Sequence, residues 1–164
     1  FVMKKKVLFL CSQNAARSQM AEALMNNRFE GEFIAYSAGL HPALTVDPFA
    51  VETMKNDGID ISDKIPKSLK EFNDVKFDFI ITLCDKAINE CPSCSVDTIT
   101  AHWGITDPIN FQGKDEEKLN FYKQIKKEIM TRINIFLALP IEKLDKLALE
   151  SKVKEIGKLS DLSS

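Results

Sequence analysis

No stretch of this 164-residue sequence stays apolar for long enough to cross a bilayer. Its longer hydrophobic runs, such as Phe77 to Cys84, fall far short of the roughly 18 residues a spanning helix requires, so no membrane partner is expected. Glycine and proline are sparse, six of each, which excludes collagen-like and low-complexity chains. An excess of one charge is also lacking. The net formal charge is -2, and the short basic cluster Lys4-Lys5-Lys6 leads straight into a strand signal, so no nucleic-acid partner is expected. Phe1 and Val2 precede Met3 and read as residues left by processing, and nothing has the form of a secretory leader. Four cysteines without such a leader point to a reducing cytosol, where disulfides are transient and catalytic, and so to a cytoplasmic location.

What is present is an ordinary globular composition, 45% hydrophobic and 28% charged, in about one domain's length. Strand and helix signals alternate along it. Val7-Leu8-Phe9-Leu10 is a β-type apolar run, and Gln19 to Met25 is rich in helix formers. Phe33 to Ser37 predicts a second strand, closed by Ala38-Gly39. Asp47-Pro48 opens a helix that runs to about Asp57 and stops at Gly58. Ile59 to Ile61 reads as extended and Pro66 to Glu71 as a short helix. Lys76 to Leu83 predicts a third strand and Thr98 to His102 a fourth. Leu119, Tyr122, Ile125, Ile129, Ile133 and Phe136, three or four apart, predict a long helix over Asp115 to Leu139.

This order implies an α/β fold, a single four-stranded parallel sheet flanked by helices, with ligands at the carboxyl ends of the strands. After Pro140, apolar residues from Ile141 to Leu159 recur at helical intervals and predict an extra C-terminal helix packed on the body. The expected division is a main domain over 3–139 and a helical extension over 140–164.

The turn between the first strand and the first helix reads Cys11-Ser12-Gln13-Asn14-Ala15-Ala16-Arg17-Ser18. In a strand-to-helix turn the amides of Ser12, Gln13, Asn14, Ala15 and Ala16 can face inward and, with the helix dipole, seat an oxyanion; the seat runs on to Ser18. Arg17 adds a planar fork of donors suited to a tetrahedral anion. A helix N-terminus and a nearby cation lower a thiol's pKa, so Cys11 is expected to be a nucleophile held largely as thiolate.

Cys84 ends the third predicted strand and so faces the same edge as Cys11. Cys91 and Cys94 follow in a polar stretch. Three readings compete: a zinc site formed by Cys91, Cys94, Cys84 and His102, incidental thiols, or a relay that passes a disulfide outward from the loop. Zinc ribbons carry two paired-ligand knuckles and this chain has one, so no metal is expected. Exchange needs neighbouring thiols of graded exposure, which favours the relay. In His102-Trp103-Gly104-Ile105-Thr106-Asp107-Pro108, Asp107 is either a turn-forming residue or a carboxyl placed over the seat as general acid. His102 reads as structural.

These residues together resemble the thioredoxin-coupled arsenate reductases, which share the low-molecular-weight protein tyrosine phosphatase fold. The resemblance covers about Lys4 to Leu139. It rests on Cys11-x5-Arg17-Ser18 running into Gln19-Met20-Ala21-Glu22, on Tyr36-Ser37-Ala38-Gly39, on Gly58-Ile59-Asp60-Ile61-Ser62, on Thr82-Leu83-Cys84, on Cys91-Pro92, and on His102-Trp103-Gly104 before Asp107-Pro108. It implies reduction of arsenate to arsenite, with phosphate or sulfate as competing oxyanions. Cys11 attacks arsenate and Asp107 protonates the leaving oxygen. Cys84 then attacks Cys11, Cys91 attacks Cys84, and thioredoxin reduces the resulting disulfide, with no cofactor and no metal in the redox step. A monomer is expected. Gln13 and Ala16 depart from the family's usual loop. Some members hold potassium with side chains matching Asn14, Glu22 and Ser37, but Pro66 stands near the expected acidic partner.

Two other functions use overlapping residues. A phosphatase-like phosphomonoesterase would need Cys11, Arg17 and Asp107, with Cys84 as a redox guard. A phosphoryl-carrier or redox-sensing module would need the loop cysteine, but carrier loops have no use for Arg17.

Overall fold

The computed structural model describes residues 3–28, 31–89 and 97–159; Cys91 and Cys94 lie outside them. In chain order the elements are β1 (Lys5–Cys11), α1 (Arg17–Arg28), β2 (Phe33–Gly39), α2 (Pro48–Lys55), β3 (Phe79–Thr82), β4 (Ile99–His102), α3 (Asp115–Leu137) and α4 (Lys146–Ile156). Short 3-10 turns lie at Leu69–Phe72, Asp85–Ala87, Pro108–Asn110 and Ile141–Lys143.

The four strands form one parallel sheet in the order β2-β1-β3-β4. A central parallel strand is covered on both faces, which is why β1 is a continuous apolar run instead of an alternating one. Val7, Leu8, Phe9 and Leu10 are all fully buried. From β1 the chain goes to β2 on one side and then crosses to β3 on the other. The reversal opens a crevice at the carboxyl ends of β1 and β3, the place where such sheets bind ligands. Cys11 ends β1 and Cys84 follows β3 by two residues, so topology alone brings both thiols to this rim.

The core is aromatic. Phe33, Phe79 and Trp103 surround Phe136 of α3, with ring centroids 5.2, 5.0 and 6.0 Å from it. α1 and α3 pack together, α2 packs on α3, and α4 lies on β4. The start of α2 follows its sequence: the Asp47 carboxylate accepts from Phe49 N at 2.9 Å and Pro48 occupies the first turn.

Three local expectations shift. The third strand is shorter than predicted. The Asp78 carboxylate accepts from Lys6 N at 2.7 Å, and regular pairing with β1 begins only at Phe79. The short helix expected from Pro66 is a single 3-10 turn starting at Leu69. Ser68 and Glu71 form its capping box, while Gly39 N donates to Lys67 O and Ser68 bridges to Gly39, holding 67–68 extended beside β2. The long helix ends at Leu137, and α4 is preceded by its own 3-10 turn.

Candidate active site

The loop from Cys11 to Arg17 is turned inside out relative to an ordinary surface turn. Its carbonyls point away from the site and are taken by the segment that follows β2. Leu40 N donates to Cys11 O, His41 N to Ser12 O, Ala43 N to Gln13 O and Asp47 N to Ala15 O, at 2.8 to 3.1 Å. A trans peptide sets its N–H opposite its carbonyl, so outward carbonyls at Ser12, Gln13 and Ala15 turn the next amides inward. The carbonyl pattern suits the Gln13, Asn14 and Ala16 amides to an oxyanion, and Asn14 N already donates to Cys11 Sγ. Residues 40–47 hold the loop open, and no sequence pattern announced them.

Two features make the turn possible. Asn14 sits at φ 52°, a left-handed conformation that asparagine tolerates better than most residues. Its buried side chain ties the loop together: Oδ1 accepts from Gln19 Nε2 and Lys67 N, both at 2.9 Å, and Nδ2 donates to Ser18 Oγ at 2.7 Å. Gly39, opposite Cys11 on β2, lies against the loop backbone. A Cβ there would sit 2.8 Å from Ser12 O and 2.9 Å from Asn14 N, so only glycine allows the approach.

Cys11 Sγ lies 2.8 Å from Ser18 Oγ and accepts from Asn14 N at 3.3 Å. Ser18, expected in the anion seat, is also a partner of the sulfur. Arg17 opens α1 and is buried. Its Nη1 donates to Ile105 O at 2.9 Å, and its Nη2 pairs with Asp107 Oδ2 at 3.2 Å. The mouth above Cys11 is lined by Gln13, Ala15, Ala16, Arg17, Asp107 and Ile109. Cys84 is buried beside an adjoining cavity of about 310 Å³ that it shares with Arg17, Asp85, Ile105 and Asp107. The structure therefore gathers Cys11, Arg17, Cys84 and Asp107 at one rim.

The expected thiolate character of Cys11 is corrected. Burial of the sulfur pushes its pKa up and outweighs the Ser18 hydroxyl, the Arg17 charge and the amides of Asn14 and Ser18, which pull it down. Iodoacetamide labelling against pH is expected to give Cys11 a midpoint above the free-thiol value of about 8.5. The folded chain keeps this proton where the unfolded chain loses it, so Cys11 makes stability fall as pH rises above about 8.5. A midpoint below the free value would restore the sequence expectation.

Other polar groups near the rim are structural. Tyr122 of α3 donates a short hydrogen bond to Asp47, and burial, then that bond and the charges of Asp47 and Asp107, push its hydroxyl pKa up. The His102 ring spans Thr82 Oγ1 at 2.7 Å and Asp85 Oδ1 at 3.1 Å, tying the residue after Cys84 to β4. No cluster of metal-ligating side chains occurs among the described residues. Glu22 accepts from Ser37 Oγ at 3.3 Å and faces Lys67 Nζ at 3.9 Å. A lysine ammonium beside that carboxylate does not fit a resident potassium ion.

The sequence matches the family model described as low molecular weight phosphotyrosine protein phosphatase over residues 6–152. It is 39% identical over 133 residues to an arsenate reductase of Halalkalibacterium halodurans, a match that covers 81% of this chain and 95% of the relative. A solved arsenate reductase in its phosphate-binding state superposes with a TM-score of 0.69 at 30% identity, covering 82% of this chain and 97% of the other. A thioredoxin-dependent arsenate reductase of Corynebacterium glutamicum superposes with a TM-score of 0.58 at 26% identity, over 80% of this chain and 62% of that one. With its cysteine loop, its buried arginine and its sheet order accounted for in the same terms, this chain belongs to the low molecular weight phosphotyrosine protein phosphatase family.

Proposed function

We propose that this protein reduces arsenate to arsenite through a thiol relay, with thioredoxin as reductant. One observation carries the reading: a second buried thiol, Cys84, opens onto the same rim as the nucleophile, beside Arg17 and Asp107. Hydrolysis of a phosphoester needs no second thiol, whereas reduction needs an electron pair that one can supply.

The Cys11 sulfur attacks arsenic in an arsenate held by the loop amides and Arg17; an arsenic–oxygen bond breaks, and Asp107 hands the departing oxygen the proton that came from the Cys11 thiol, so that it leaves as water. A raised thiol pKa is compatible with this step. A thiol beside a dianion carries the same total charge as a thiolate beside a monoanion, so the incoming dianion takes the proton. The Cys84 thiolate then attacks Cys11, a disulfide forms, and the sulfur–arsenic electron pair leaves on arsenic, reducing it from five to three. The Cys91 thiolate attacks Cys84, frees Cys11 as thiolate, and presents a Cys84–Cys91 disulfide to a dithiol reductant. Such a relay needs a reducing compartment, which supports a cytoplasmic location, with arsenate and thioredoxin taken as partners and a monomer as the working state. No helix among the described residues is long and apolar enough to cross a membrane.

The test is arsenate-dependent NADPH consumption with thioredoxin and thioredoxin reductase, compared with glutaredoxin and glutathione. Turnover is expected with the first pair and none above background with the second. A second reading, phosphomonoester hydrolysis, is favoured by an open cavity of about 320 Å³ beside the loop, walled by Pro48, Phe49, Pro108, Ile109 and Tyr122, which has room for an organic leaving group. Hydrolysis of p-nitrophenyl phosphate far faster than arsenate reduction would favour that reading.

A further inference from the structure

α4 has no role in the steps above, yet it is built into the edge of the site. Leu149, Val153 and Ile156 fall on one helical face and are buried, and Asp145 caps the start by accepting from Ala148 N at 2.8 Å. The helix lies on β4, the edge strand of the sheet. A helix leaves its last carbonyls without internal partners. One of them, Val153 O, accepts from the Trp103 indole Nε1 at 3.0 Å, between two buried groups. Just past the helix, a Cβ at Gly157 would lie 2.0 Å from His102 O and 3.1 Å from Trp103 Cδ1, so this is a backbone-to-backbone contact that only glycine allows. From the other side Arg132 of α3 donates to Leu159 O at 3.2 Å. Val153, Ile156, Gly157 and Leu159 all follow residue 152, where the match to the family model ends.

Trp103 is also the first residue of the segment that sets Arg17. Trp103 N donates to Thr82 O at 2.8 Å and Ile105 N to Leu83 O at 3.0 Å. Ile105 O then accepts from Arg17, and Asp107, two residues on, pairs with it. Residues 103–107 have no regular structure of their own, so their position comes from where they are anchored. The anchor at one end is the Trp103 ring, packed 6.2 Å from Phe9 and 6.0 Å from Phe136 and held by α4.

We propose that α4 is a positioning element of the active site, acting through Trp103, which fixes the loop that aims Arg17 and places Asp107. The functional unit therefore runs to Gly157, past the boundary at Leu139 that the sequence pattern suggests. The proposal rests on the roles given to Arg17 and Asp107.

Trp103→Phe keeps an aromatic ring and removes the donor to Val153 O. The readout is protection of Cys11 from iodoacetamide by inorganic phosphate, measured without arsenate or thioredoxin, so its outcome is independent of whether the chain reduces arsenate. Phosphate affinity is expected to fall about tenfold, in line with the sensitivity of binding geometry to small displacements. In an Arg17→Lys background, where the fork is already lost, Trp103→Phe is expected to add no further loss, because the two act as one unit. A purely structural role would lower the melting temperature, leave phosphate protection unchanged at 25 °C, and overturn the proposal; so would losses that add fully in the two backgrounds. Gly157→Ala, which keeps the indole and pushes the end of α4 from β4, carries the same expectation should Trp103→Phe not fold. Phosphate protection at the parent level in a folded Gly157→Ala protein would equally overturn it.

Discussion

Replacing Arg17 by lysine is expected to lower arsenate turnover by about 10² to 10³-fold, the range seen when one preorganised anion donor is removed. The substitution keeps the charge and loses the fork. Arg17 lines the mouth above Cys11 and spends one N–H on Ile105 O and another on Asp107, both from the same loop, which leaves three of its five donors for an anion. A lysine has one nitrogen and cannot hold that loop and an oxyanion in the same geometry. It would also bury a strongly hydrated ammonium where only 8% of the arginine is exposed. The check is single-turnover arsenite release by the fully reduced protein, with circular dichroism to show that the variant is folded. Near-parent activity in a folded Arg17→Lys protein would place Arg17 outside the chemistry.

The second large effect concerns the relay. Cys84→Ser is expected to abolish arsenite release even in a single turnover, because without its electron pair the reaction stops at the Cys11 adduct. Cys91→Ser is expected to release about one equivalent of arsenite per chain and then stall, accumulating a Cys11–Cys84 disulfide visible by peptide mass mapping. Cys94→Ser is expected to cycle nearly as the parent does. The physical basis for Cys84 is its burial on the rim shared with Arg17 and Asp107. The basis for Cys91 is its spacing in the sequence, seven residues along from Cys84. If Cys94→Ser stalls and Cys91→Ser does not, the relay ends at Cys94. Undiminished arsenite release by Cys84→Ser would remove the observation on which the reductase reading stands.

The features legible in the sequence were those governed by close neighbours. The apolar run Val7–Leu10, the helix formers after Arg17, the Asp47-Pro48 cap and the turn at Gly58 each depend on a few adjacent side chains and dihedral preferences, and all appear where the pattern put them. So did the meeting of Cys11 and Cys84 at one rim, because a parallel sheet sends every strand end to the same edge. Tertiary structure decided what depends on distant partners. The Cys11 pKa is governed by desolvation, which belongs to the packed fold and not to the loop, so a local argument from a helix end and one arginine missed its direction. Likewise the clasp on Asn14 comes from Lys67, 53 positions away, and the anchor for Arg17 from Ile105, 88 positions away. Ile105 contributes a backbone carbonyl, a group every residue carries, so no side-chain pattern could mark it. Only the packing of β3, β4 and α4 turns that carbonyl toward the site.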